Sequence, residues 1–142
     1  MKKEYNGVVG ILFTMEKPLL FALVHNQNTG NITFPGGARE NNEDSSKKTL
    51  ARELLEETGL REDNYKASKI PFIHEFTYGP RKKERSGIKA IQHIYLVETS
   101  KTELIPLDKD AKFHGWHTKE EVLKLLTFDD SKDIFKKALK LI

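Results

Sequence analysis

The 142-residue sequence contains no cysteine. That absence excludes disulfides, thiolate metal centres and cysteine nucleophiles together, and it suits a reduced, cytoplasmic compartment. Long apolar runs are missing too: none approaches the roughly 18 residues of a membrane-spanning helix, and Glu4 and Asn6 interrupt the basic start before a signal-peptide core can form. No repeat, low-complexity tract or Pro/Gly/Ser-rich linker divides the chain, so it reads as one domain over residues 1–142. Charge of one sign is scarcely in excess, with 24 Lys plus Arg against 21 Asp plus Glu for a net +3. That is too little to indicate nucleic acid or an anionic membrane as partner. What remains, 37% hydrophobic and 32% charged residues, is the composition of a charge-rich globular domain rather than a disordered chain.

Patterning predicts the elements. Residues 7–14 (GVVGILFT) are rich in β-branched side chains and read as a buried strand, with 18–25 (PLLFALVH) as its partner. Turn residues at 26–31 lead to a short strand at 32–34 that runs into Pro35-Gly36-Gly37. A helix follows over 46–58 with Gly59 as its C′ residue. Strands are predicted at 65–78, 88–98 and 113–116, Pro71 marking the first as an edge strand or one that starts after it. Thr118 and Glu121 form a capping box that opens a helix to Leu126, and a last helix over about 131–141 buries Ile134, Phe135, Leu139 and Leu141. The order β-β-β-α-β-β-β-α-α implies an α+β or α/β sandwich around a mixed sheet.

The helix at 46–58 carries the chemistry. At about 100° per residue, Glu53, Glu56 and Glu57 fall on one side, while Ala51, Leu54 and Leu55 cover the other and Leu50 lies nearer the acidic edge. Amphipathic packing explains the apolar side but not three bunched carboxylates, which repel one another. A solvated acidic face would be the ordinary explanation; two features argue against it. Pro35-Gly36-Gly37 lies just upstream, where backbone can approach a ligand closely, and Arg52 is placed to orient a carboxylate. Clustered glutamates on a rigid helix are suited to a hard divalent cation that would offset phosphate charge.

This segment resembles the signature of the Nudix hydrolases, G-x5-E-x7-R-E-u-x-E-E-x-G-u with u aliphatic. Arg52-Glu53-Leu54-Leu55-Glu56-Glu57-Thr58-Gly59-Leu60 matches its second half throughout, and Gly37-x5-Glu43 matches its first. Eight residues rather than seven separate Glu43 from Arg52, so either Glu43 or Asp44 fills the first acid position. The resemblance implies an α/β/α sandwich with a mixed sheet between helices, and a Mg²⁺- or Mn²⁺-dependent hydrolase of nucleoside diphosphate derivatives. It implies Gly37, Glu53, Glu56 and Glu57, with Glu43 or Asp44, as the metal site, and Arg52 as the orienting arginine.

The C-terminal half is similar to the asymmetric diadenosine tetraphosphate hydrolases. That likeness implies substrate contacts from Phe76, Tyr78, Arg81 and Lys83, with Tyr95 as a further stacking candidate. It also implies a further catalytic acid at Asp110, six residues before Trp116. The alternatives are a nucleotide-pool sanitising triphosphate pyrophosphatase, an RNA 5′ pyrophosphohydrolase, an ADP-ribose pyrophosphatase and a non-catalytic nucleotide sensor. The expected partner is a nucleotide-type small molecule, with an RNA 5′ end as the one nucleic-acid exception, no membrane, and a monomer or homodimer.

Overall fold

A computed structural model of the chain describes residues 4–16, 18–77 and 86–142. The strands are β1 (Glu4–Thr14), β2 (Leu20–Asn26), β3 (Ile32–Thr33), β4 (Gly36–Ala38), β5 (Tyr65–Thr77), β6 (Lys89–Thr99) and β7 (Ala111–His117). The helices are α1 (Ser46–Thr58), α2 (Lys119–Leu125) and α3 (Asp129–Leu139), with a 3₁₀ turn at Glu62–Asn64. All seven strands join one mixed sheet in the order β3-β2-β1-β6-β5, with β4 added to β1 and β7 to β2. β1 and β6 run parallel from Glu4↔Lys89 to Phe13↔Glu98. β5 is the edge strand, and its register slips between Lys69 and Ile73, around Pro71, which has no N–H to give to a ladder.

Alternation along β1 divides the core between two faces. Val8 and Leu12 point to one side, where they meet Leu50 and Leu54 of α1, Tyr95 and Val97. Ile11 and Phe13 point to the other, where they pack with Phe21, Phe34, Ile94, Val122, Ile134 and Phe135 beneath α2 and α3. Phe135 is fully buried, edge-on to Phe21 at 4.8 Å and tilted on Phe34 at 5.4 Å. Each such side chain contributes about 1.5–3 kcal/mol by leaving water, so the sheet is clamped from both sides, an α+β sandwich.

The caps explain where α1 begins and ends. Ser45, extended at φ −152°, accepts from the Lys48 amide, and Gly59, at φ +76°, donates its N–H to Leu55 O. Four sequence expectations are corrected. β4 forms across Gly36 and Gly37, where no strand was predicted, because β1 supplies the pairing: Val8 faces Gly37 and Val9 faces Gly36. The buried stripe of α1 is Leu50 and Leu54, whereas Ala51 and Leu55 are only half-buried, because the helix turns its Glu53 side toward β4. Tyr95 lies in the core beneath α1 with its hydroxyl 2.6 Å from Ser46 Oγ, so it is not a stacking surface. Leu141 lies beyond the end of α3 and is 49% exposed.

Candidate active site

Arg52 organises the site. Its Nε donates to Glu43 Oε2 at 2.8 Å and lies 3.0 Å from Glu40 Oε1. One terminal nitrogen donates to Glu53 Oε1 at 2.8 Å and Glu56 Oε1 at 3.0 Å, and the other to the Ala38 carbonyl at 2.8 Å. Burial works against the guanidinium charge, but the bonds from Glu43 and Glu56 and the charges of Glu53 and Glu43 outweigh it and hold its pKa above the ordinary arginine value.

Glu43 and Asp44 are sharply distinguished. Glu43 is buried and accepts from Arg52, the Glu40 amide and the Thr49 hydroxyl. The Arg52 hydrogen bond is the main reason its carboxyl sits below the usual range, against the opposing effect of burial. Asp44 stands at the surface, 3.1 Å from Lys48 Nζ and outside the Arg52 cluster. The additional residue before Arg52 is therefore accommodated between Glu43 and the body of the helix.

One turn further along α1, Glu53 and Glu57 face the glycines of β4. Glu57 Oε1 accepts from the Gly36 amide at 2.8 Å, and the two carboxyls are near enough to influence each other's titration. Burial pushes Glu57 up to about 9; the Gly36 amide opposes this, and the charges of Glu53 and Asp108 add to it. Burial also raises Glu53, against the influence of Glu57 and the charge of Arg52. Gly37 makes room for this pair, since a Cβ there would fall 2.6 Å from Glu53 Cδ.

The donor set fits a hard divalent cation. Two partly buried carboxyls beside open backbone have the hard oxygen chemistry that such an ion takes. Among the described residues no three acidic or imidazole side chains form a ready cation cage; Glu56, the third carboxylate, is engaged by Arg52.

Of the remaining expected residues, Asp110 opens the approach to β7, with its carbonyl accepting from Gln27 and its amide donating to Asp108 Oδ1. Asp108, which the sequence does not single out, lies two residues before it. Residues 105–108 fold back on the end of α1, with Ile105 N donating to Thr58 O and the Leu107 and Asp108 amides to Glu56 O, and it is the charge of Asp108 that reaches Glu57. Counting back from Trp116 cannot reveal that return. Phe76 stacks on His74 with ring centroids 5.3 Å apart. Both line a cavity of about 480 Å³ that also takes in Gly36, Gly37, Gln92, Phe128 and Asp130. His74 Nδ1 lies 3.0 Å from Gln92 Oε1 and its Nε2 3.3 Å from Asp130 Oδ2. Tyr78, Arg81 and Lys83 lie outside the described residues.

A two-faced α+β sandwich with a glycine strand against an arginine-braced glutamate helix defines a class, and comparison with known proteins agrees. The family model for the NUDIX domain matches residues 4–139, so the chain belongs to the Nudix family. It is a Nudix hydrolase, acting on pyrophosphate bonds in nucleotide derivatives. Among solved structures it is similar in fold to the NUDIX domain of Shewanella oneidensis NrtR complexed with ADP ribose (18% identity, TM-score 0.78, 99% of this chain and 89% of that one). It is also similar to a C. elegans Ap4A hydrolase binary complex (14%, 0.75, 96% of each chain). A third is the E. coli dihydroneopterin triphosphate pyrophosphohydrolase (10%, 0.71, 93% and 92%). No curated protein matches the chain by sequence. Among the described residues no helix is long and apolar enough to cross a membrane.

Proposed function

We propose that the chain hydrolyses the pyrophosphate linkage of a dinucleoside polyphosphate of the diadenosine tetraphosphate type, using Mg²⁺ or Mn²⁺, in a reduced cytoplasmic compartment. The observation that carries the reading is the partly buried Glu53–Glu57 pair set against Gly36 and Gly37. Glu53, Glu56 and Glu57, with the Gly37 backbone, would hold the cation; when bound it offsets the negative charge of the phosphates that would otherwise repel an attacking water.

The chain's own groups supply the rest. Arg52, anchored by Glu43 and the Ala38 carbonyl, positions the carboxylates of Glu53 and Glu56, while Glu43 acts through Arg52. Asp108, brought to the end of α1 by its amide's bond to the Glu56 carbonyl, is the proposed acceptor of the proton of the attacking water. Gly36 and Gly37 belong both to the carboxylate site and to the cavity lined by Phe76, His74 and Phe128. A nucleobase held against Phe76 in that cavity therefore leads its phosphates toward Glu53 and Glu57. The dinucleotide preference is supported by the likeness in fold to the C. elegans Ap4A hydrolase structures and by the basic run of residues 81–85 in the sequence.

The test is product analysis with Mg²⁺ on diadenosine tetraphosphate, an oxidised deoxyguanosine triphosphate, ADP-ribose and triphosphorylated RNA. The highest kcat/KM is expected on the dinucleotide; a preference for any other compound refutes the substrate assignment.

A further inference from the structure

On the α1 side of the sheet, one helical turn before Glu53, lies a second cavity of about 200 Å³ lined by Asn6, Arg39, Ser46, Thr49, Lys69 and His93. Its charged lining is cationic: Arg39 and Lys69 reach it from β4's end and β5, and no carboxylate is among the lining groups. The Arg39 Nε donates to the Glu43 carbonyl at 2.7 Å, and neither Arg39 nor Lys69 has a carboxylate partner among the described residues. His93 Nδ1 is buried with no hydrogen-bond partner among the described residues, which is unusual because a buried polar atom without a partner costs about 1–3 kcal/mol. Burial and the neighbouring charges of Lys69 and Arg39 hold His93 below the ordinary imidazole range. Ser46 and Thr49 come from the first turn of α1, where backbone N–H groups carry partial positive charge. The Glu43 carboxylate, beyond Thr49, is tied to Arg52.

Two cations without carboxylate partners among the described residues, around a space large enough for a tetrahedral ion, call for one chemistry. We infer that this cavity is an oxyanion site of the phosphate class, seated by Arg39, Lys69 and His93 beside the first turn of α1. Free orthophosphate and the distal phosphate of a bound polyphosphate share that chemistry. Oxyanion binding does not depend on the hydrolase reading; only its use for a substrate's distal phosphate does.

The test is titration of the full ¹⁵N-labelled chain with inorganic phosphate in EDTA and again in Mg²⁺, with chloride at matched ionic strength as control. Saturable shifts are expected at the amides of Asn6, Arg39, Ser46 and Lys69 in both conditions, and R39Q and K69Q should each weaken them by about tenfold. Because Arg39 also braces the Glu43 carbonyl, K69Q, at an exposed residue with no ion pair, is the variant that keeps the result readable. The absence of saturable shifts at tens of millimolar phosphate, or shifts indifferent to K69Q, overturns the assignment. Kinetics separate the sources. A raised KM for diadenosine tetraphosphate in K69Q with kcat held assigns the site to a distal phosphate; an unchanged KM with loss of inhibition by phosphate assigns it to the free ion.

Discussion

Arg52 holds four glutamates that would otherwise repel one another, Glu40, Glu43, Glu53 and Glu56, and Glu57 is left without it. The sign of the consequence can be worked out. In the metal-free protein the folded-state pKa of Glu57 lies at about 9, against an ordinary 4.5. Between those values the folded chain binds a proton that the unfolded chain does not, so this group's contribution to stability falls as pH rises through that window. Glu43 has the opposite sign: its lowered pKa favours the folded state above the ordinary carboxyl range, and that contribution is lost as pH falls through its folded value. Thermal melts in EDTA should therefore show E57Q gaining on wild type from pH 5 to pH 8; parallel curves would refute the raised pKa of Glu57. Asp108 and Asp110 give a second contrast. D108N, which keeps the oxygen that accepts from the Asp110 amide, should lower kcat by about 10²-fold or more, whereas D110N should leave kcat within about twofold; the reverse order would return the proton acceptor to Asp110.

At the scale of elements, α1 and β4 form the site as a pair. The helix was legible in the sequence because its signals are local: a glycine at the far end and carboxylates at helical spacing. The strand was not, because Gly36 and Gly37 have little intrinsic strand preference and pair only because β1 lies alongside. For the same reason the sequence could leave Glu43 and Asp44 open, since an additional loop residue can be absorbed on either side of an acid and only the fold shows that Arg52 and Thr49 bind Glu43. Asp108 was illegible because its approach to Glu57 depends on backbone bonds to the end of α1. The tight fit of the two elements makes G37A informative. The added methyl meets the Glu53 carboxylate, whose flexible end can swing away, so folding should survive while activity falls by about 10–100-fold. Wild-type activity in a folded G37A would show that Glu53 has no need of its present position.

For the whole molecule, the two apolar clusters have separate tasks. The α1 face holds the glutamate helix in register, and the α3 face supports one wall of the larger cavity through Phe34 and Ile134. F135A removes the ring on which Phe21 and Phe34 converge and should cost about 3–5 kcal/mol in denaturant unfolding; a loss below 1 kcal/mol would mean that the face is not close-packed. The sandwich was foreseen from the order of the elements, whereas the cavities were not, since a hollow is what packing leaves between elements and has no periodicity of its own. The carboxylate pair proposed to bind a cation lies at the meeting of sheet and helix, and isothermal titration of the full chain with Mn²⁺ at pH 8 tests it directly. Saturable binding is predicted for wild type, lost in E57Q while its circular dichroism spectrum is unchanged; binding of equal strength in both proteins, or in neither, would contradict it.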